Sequence, residues 1–195
     1  MTPISALENL HVKGLFGDYE NKNEKDLLKI SEKKNLLIIQ IVQYKNFSTS
    51  VESLKIDDLS LKNEVLNVTN NDDTRILWNG PNNWLLVSNK KKLLREIVKK
   101  FDETNFAVTD LSHSRAIIEL EGKKSKEVLK KGCPFNFSEL NKNNCLNSTY
   151  NGISITVDFL ADNPKKARIF ALRSFGESLH HSISDACLEF GYKNI

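Results

Sequence analysis

The sequence is poor in the residues from which cofactor and metal sites are built. Its eight glycines fall into no G-x-G-x-x-G fingerprint or P-loop, and Cys133, Cys145 and Cys187 make no C-x-x-C pair or zinc spacing. A dinucleotide turn, a phosphate cradle and a spaced zinc site are therefore excluded by motif. No apolar run approaches the ~20 residues that span a bilayer; the longest, Leu36–Ile39, is interrupted at Gln40. The opening MTPISALENLHVKG has neither a basic cluster nor an apolar core, so no secretory leader is read and the expected location is the cytoplasm. An odd number of cysteines without a leader predicts free, buried or half-buried thiols. Arginine is also scarce, with 5 against 23 Lys and 22 Asn. That skew, with the lysines set beside Glu on predicted helices, excludes the Arg-fork chemistry of a nucleic-acid binder. The sequons at Asn46, Asn67, Asn136 and Asn147 carry no information in so Asn-rich a chain.

What is present is a chain of 195 residues with net charge +3, long enough for one substantial core or two small subdomains sharing one. Residues 1–25 read as an arm and 26–195 as a single α+β domain. Leu28–Ile30 and Leu36–Tyr44 flank the charged turn Ser31–Lys34 and read as a hairpin, the second strand apolar on both faces and hence central. Residues 46–74 fit neither period. Ile76–Trp78 and Trp84–Val87 are strands around Gly80-Pro81-Asn82-Asn83. A helix over Lys90–Phe101 follows, with Leu93, Leu94, Ile97, Val98 and Phe101 inward and Asn89 as N-cap.

Phe106–Ser112 and Arg115–Glu121 read as strands joined at His113-Ser114, and Lys123–Lys131 as a short helix with Gly132 at its C′ position. Asn151-Gly152 between Cys145–Tyr150 and Ile153–Phe159 is the strongest hairpin signal. The second of these strands alternates so cleanly that one sheet face is expected to be wet. After the strand Arg168–Leu172, Ser174 and Glu177 form a capping box for a last helix with Phe175, Leu179, Ile183, Cys187 and Phe190 inward, ended by Gly191. The order of elements gives an α+β fold of mostly antiparallel sheets with helices packed on one side.

Several polar clusters invite a catalytic reading. Asp110, Ser112 and His113 lie in one strand and turn, and a hydrolase triad needs groups from separate elements, so they are assigned to the turn. His180 and His181 are adjacent and diverge by about 100° on a helix, so they are read as surface residues that cannot clamp one metal. Cys133 follows a helix C-terminus, where the dipole disfavours a thiolate. Trp78 and Trp84 are either core residues or anchors of a partner surface, and with Asn79, Pro81 and Asn82 they are the contact candidates. No catalytic, cofactor-binding or metal-binding residue is assigned.

Four stretches carry a resemblance. RILWNGPNNWLLVS (75–88), VTDLSHSRAIIELEG (108–122), VLKKGCPFNF (128–137) and RSFGESLHHSISDACLEFG (173–191) resemble, in order, the gamma-subunit family of heterotetrameric sarcosine oxidases. The match spans residues 75–191. The resemblance implies a fold similar to part of the aminomethyltransferase folate-binding fold, and a place beside the alpha subunit of a complex that also holds beta and delta subunits. That complex oxidises the N-methyl group of sarcosine and passes the one-carbon unit to tetrahydrofolate. It uses FAD, FMN, NAD and zinc held by subunits other than gamma. Two departures are plain. Lys131-Gly132-Cys133 is similar to the start of a folate-relative motif, but Pro134-Phe135-Asn136 replaces its continuation. The chain is also about half as long as a complete aminomethyltransferase. The resemblance thus implies a non-catalytic structural subunit, with a stand-alone folate-binding or aminomethyl-transfer protein as the alternative. It leaves the particular methylated amine open.

Overall fold

The computed structural model describes residues 5–8, 10–45 and 51–195, with the backbone alone at Glu52. In chain order the elements are β1 (Gly14–Phe16), β2 (Leu28–Glu32), β3 (Leu37–Gln43), β4 (Lys55–Ile56), β5 (Leu59–Ser60), β6 (Val68–Asn70), β7 (Thr74–Gly80), β8 (Asn83–Ser88), α1 (Leu93–Lys100), β9 (Phe106–Asp110), β10 (Arg115–Glu121), α2 (Ser125–Gly132), β11 (Cys145–Tyr150), β12 (Ile153–Asp162), β13 (Lys165–Leu172), α3 (Gly176–Cys187) and β14 (Tyr192–Asn194). The expected α+β class holds. Two compact units divide the chain. One is drawn from the segments up to Lys34, Ser114–Lys142 and Leu146–Ile195, the other from Asn35–His113 and Asn143–Cys145. No helix among the described residues is long and apolar enough to cross a membrane.

The first unit is built on a seven-stranded sheet of order β1-β14-β2-β10-β13-β12-β11. β1–β14, β2–β10, β10–β13 and β12–β13 pair antiparallel, and β14 pairs parallel with β2. Alternation along β10 sends Ala116, Ile118 and Leu120 to one face, where Ala171, Ile169 and Ala167 of β13 stand opposite them. Helices α2 and α3 pack on this face, with Ala116 against Gly176 of α3. The other face carries Ile117, Glu119 and Glu121 beside Phe170, Arg168 and Lys166. It is drier than its polar letters predict, since Ile117, Phe170, Glu119 and Asp158 are all buried. The expected wet face of β12 therefore holds at exposed Ser154 and half-buried Thr156 and fails at Asp158, which is buried.

A buried carboxylate must be paired. Arg168 donates Nε and Nη2 to Glu119 Oε1 at 2.9 and 2.7 Å. Lys166 Nζ meets Glu119 Oε2 at 2.9 Å and Glu121 at 3.4 Å, and Lys29 reaches Glu121 at 3.0 Å. Burial pushes the Glu119 carboxyl up, but the Lys166 hydrogen bond and the Arg168 charge outweigh it and hold the group below its usual range.

The second unit is a five-stranded sheet of order β6-β7-β8-β3-β9. β3 is central, as its two-faced apolar pattern requires, and Ile38 and Ile39 on opposite faces are both fully buried. Leu37, Ile39 and Ile41 share a core with Trp84, Leu86, and Leu93, Ile97 and Phe101 of the α1 segment. The β4–β5 hairpin turns at Asp57 and Asp58, both at positive φ, a strained conformation for non-glycine residues. Asp57 is held there by Thr74 Oγ1 at 2.6 Å, Asn71 Nδ2 at 3.0 Å and Lys90 Nζ at 2.9 Å. The hydrogen bonds from Thr74, Lys90 and Asn71 lower the carboxyl pKa to about 2.

Several local expectations change. β2 and β3 are not a hairpin: β2 pairs with β10 and β14, while β3 pairs with β8 and β9 in the other sheet. β9 and β10 likewise part at His113-Ser114 into different sheets. Asn89 does not cap α1, which starts at Leu93 after turns that supply backbone bonds, and Val98 is 56% exposed instead of inward. The Ser174–Glu177 capping box does not form. A 3-10 turn at Arg173–Phe175 leads into α3, and Gly176 N–H bonds the Arg173 carbonyl. Phe175 is 46% exposed, whereas Leu179, Ile183 and Cys187 are buried. Gly132 lies inside α2 without positive φ. Its missing side chain instead admits the Tyr150 ring, 2.8 Å from where a Cβ would sit. Gly191 ends the helical segment at φ 67, and Asn151-Gly152 turns at positive φ, both as expected. Residues 14–16 form a strand, and 51–70 hold short strands and a 3-10 turn. Residues 1–4, 9 and 46–50 of the arm and the aperiodic stretch, with the Asn46 sequon, lie outside the described residues.

Arg168→Met should lower the unfolding free energy by about 3 kcal/mol, because it leaves a buried carboxylate with half its partners; urea denaturation measures it. A second expected outcome concerns acid. The folded pKa of Asp57 lies below its unfolded value, so its contribution is complete above pH about 4 and is lost as pH falls toward 2. Asp57→Asn should therefore be less stable at pH 6, and the difference from the parent should shrink between pH 4 and 2 in thermal melts.

Candidate functional site

The β7–β8 hairpin turns through Pro81 and Asn82, with Asn82 at φ 55 and a bulge between Trp78 and Gly80. Trp78 and Trp84 stand directly opposite one another, so both indoles lie on the face that Ile76 and Leu86 present to the core. Their environments differ. Trp84 is fully buried and donates its Nε1 hydrogen to the Lys62 carbonyl at 2.7 Å. Trp78 is half-buried and donates to Asn63 Oδ1 at 3.2 Å.

Asn63 clasps the tip. Its Oδ1 also accepts the Asn82 amide at 3.2 Å, and its Nδ2 donates to Asn82 Oδ1 at 3.0 Å. The Asn82 carbonyl accepts from Gln43 N at 2.9 Å, and Asn83 Oδ1 accepts from Gln40 Nε2 at 3.2 Å. The result is a braced knob bearing exposed Pro81 and half-buried Trp78, Asn79 and Asn82. A prebraced aromatic knob loses little side-chain entropy when covered, the property of a contact anchor. Trp84 leaves the candidate set as a correction, since a side chain sealed in the core cannot touch a partner. The clasping Asn63 sits in the aperiodic segment, 15 and 19 residues from its partners, and nothing in the local pattern marks it.

The other polar clusters resolve into structural roles with one exception. Ser112 donates its amide and hydroxyl to Asp110 Oδ1 at 2.9 and 2.6 Å, and its hydroxyl accepts from Ile38 N at 3.0 Å. Burial raises the Asp110 carboxyl, but the Ser112 bonds and the His113 charge bring it below its usual value. The Cys133 thiol is buried, bonds Ser148 Oγ at 3.1 Å and is pushed up by burial, which suits an unreactive group. Cys187 is pushed up to about 12 by burial. All three cysteines are buried thiols outside any disulfide, as expected. The exception is His180. It is buried, not on the surface, and its Nε2 lies 3.4 Å from His11 Nδ1. Among the described residues no group of three or more His, Cys, Asp or Glu is placed to hold a metal ion.

No family model matches the chain. Over 120 residues, 60% of this chain and 58% of the relative, it is 28% identical to sarcosine oxidase subunit gamma of Corynebacterium sp. (strain U-96). Among solved structures it superposes on a chain of heterotetrameric sarcosine oxidase from Corynebacterium sp. U-96 in complex with pyrrole 2-carboxylate. The TM-score is 0.78 at 22% identity, covering 96% of this chain and 95% of that one. The two share a fold. The glycine cleavage system aminomethyltransferase T from Bartonella henselae matches at TM-score 0.62 and 14% identity, over 82% of this chain and 46% of that one. The chain thus has a sequence similarity to the first protein's gamma subunit and a fold shared with both structures. The matched stretch spans 58% of the curated relative's length.

Asn63→Ala should release the tip, lowering stability by about 1–2 kcal/mol for the lost hydrogen bonds and raising acrylamide quenching of the indole emission. Trp84→Ala should cost about 3–5 kcal/mol as a core truncation. If Asn63→Ala left quenching and stability unchanged, the tip would not depend on the clasp.

Proposed function

We propose that the chain is a non-catalytic structural subunit of a sarcosine-oxidase-type flavoenzyme complex. The observation that carries this is the 28% identity over 120 residues to a subunit named sarcosine oxidase subunit gamma. The superposition over 96% of this chain and 95% of its counterpart supports it. In this reading the chain packs against an alpha-type subunit of a complex that also has beta and delta subunits. The oxidative demethylation of sarcosine or a related methylated amine, and the one-carbon transfer to tetrahydrofolate, proceed in those partners. FAD, FMN, NAD and zinc belong to them as well. The braced tip of Trp78, Asn79, Pro81 and Asn82 is a contact element in this proposal. A small aromatic anchor on a rigid knob is the kind of residue on which binding energy concentrates.

A second reading, an independent folate-binding or aminomethyl-transfer protein, draws on the fold shared with aminomethyltransferase T over 82% of this chain. Co-expression separates the two. The chain alone should self-associate or aggregate, and it should co-purify with alpha-, beta- and delta-type subunits when these are supplied. Trp78→Ala should weaken that association about tenfold or more if the indole is an anchor. A well-behaved monomer that fails to co-purify would sink the subunit reading. Saturable quenching of its indole emission by micromolar tetrahydrofolate would establish the second.

A further inference from the structure

Arg115 opens β10 and is partly buried, yet the fold gives it no acid to pair with. Among the described residues its guanidinium bonds Ser114 alone, Nη1 donating to that residue's carbonyl and hydroxyl at 3.4 and 3.2 Å. Nε and Nη2 have no acceptor there. Burial lowers the Arg115 pKa, and no carboxylate acts in the opposite direction. The acids on the same sheet face are already claimed. Glu119 and Glu121 are held by Arg168, Lys166 and Lys29, and Asp158 stands opposite Arg168. Those three acids and three bases match, so the charge of Arg115 is left over.

Arg115 lines a cleft of about 530 Å³ in the first unit, whose other walls come from β11, β12 and β13. Among the described residues the lining holds no carboxylate and no second cation. Leu172, directly opposite Arg115 on β13, is 45% exposed. Ile155, Phe170 and Ala171 also line the cleft but are buried, so they offer little surface. The far side is polar: Ser154 is exposed, and Thr156 donates its hydroxyl to Asn147 Oδ1 at 2.7 Å. A small-molecule pocket encloses its ligand mainly with accessible apolar and aromatic side chains. Here the accessible lining is one leucine, one guanidinium and short polar groups. That is the make-up of a protein contact patch, an arginine anchor with a polar rim.

We propose that this cleft receives an aspartate or glutamate side chain of a partner protein, which, resting on the subunit reading above, is another subunit of the complex. The partner's carboxylate accepts hydrogen bonds from Arg115, and an apolar neighbour on the partner covers Leu172. The Nε–Nη2 edge of Arg115 is the edge with which Arg168 grips Glu119, and it suits a carboxylate held by two parallel bonds. The charge complementarity is specific. The fold has already taken much of this guanidinium out of water, and only an anion from outside the described residues neutralises it.

The test compares the full chain with Arg115→Met and Arg115→Lys in assembly with co-expressed alpha-, beta- and delta-type subunits. Arg115→Met should weaken association about thirtyfold or more, because it leaves the partner's carboxylate covered and unpaired. Arg115→Lys keeps the charge but not the fork, and should weaken it about tenfold. Urea denaturation of the chain by itself should show both variants as stable as the parent, since Arg115 has no acid partner in the fold; a merely structural arginine would lower that stability. Carbodiimide treatment of the Arg115→Lys complex should join the introduced amine to an Asp or Glu of a partner subunit, read by peptide mass spectrometry. If the parent assembles and Arg115→Met assembles equally well, or if the cross-link forms only within the chain, the docking proposal fails and the subunit reading stands. If the parent does not assemble, both fail. Binding of free glutarate that Arg115→Met abolishes, with assembly unaffected, would give the cleft to a small carboxylate and overturn the proposal.

Discussion

The fold of the first unit depends on a carboxylate that has been taken out of water. Glu119 lies mid-strand in β10, 6% exposed, with apolar Ile117 two residues away on the same face. An ionised group there is tolerated only if its oxygens are occupied. The Arg168 fork fills one and Lys166 the other. Because Glu119 and Arg168 are opposite one another across the β10–β13 pair, the ion pair enforces the register that also aligns Ile118 with Ile169 under the helices. A slip of one residue would bury an unpaired charge and turn the apolar row outward together. Charge and packing therefore select the same register.

Local structure was legible wherever a local cause sufficed. The Asn151-Gly152 turn, the two-faced apolar run of β3, the Trp-bearing hairpin and the inward stripe of Leu179, Ile183 and Cys187 all follow from turn chemistry and periodicity. What was not legible was which strand pairs with which. Ser31–Lys34 and His113-Ser114 both have the polar, tight composition of hairpin turns, yet each joins strands of different sheets. Turn composition states that the chain bends, not that its two flanks meet afterwards. Their partners are chosen by long-range burial: β10 takes β2 and β13, with the Lys29–Glu121 pair linking the first.

The helix starts also depend on more than the capping letters. Ser174, Glu177 and Asn89 are correct capping letters, but backbone turns before α1 and α3 already supply bonds at these helix starts. Adjacency on a helix does not decide the burial of His180, because its partner comes from a distant segment. His180 faces His11, 169 residues earlier in the chain, and no local pattern predicts that meeting. For the contact candidates, composition marks one hairpin but does not divide its two indoles. Trp84 is sealed in the core whereas Trp78 is partly exposed, and the Asn63 clasp that makes the tip rigid comes from a segment without periodicity.

Satisfaction, more than residue type, separates structural polar groups from those available for binding. Asp110 and Ser112 look like chemistry but complete each other and the end of β3. The Cys133 thiol is buried with a hydroxyl partner, and Asp57 spends its acceptors holding a strained turn. Each has its hydrogen-bonding capacity committed inside the fold, so recruiting it for a ligand would first break a bond that stabilises the chain. The Trp78 indole is intermediate: its N–H is fixed by Asn63, and part of its apolar body is still open to be covered. A bound polar edge beside a partly open apolar face suits recognition by burial against a protein surface.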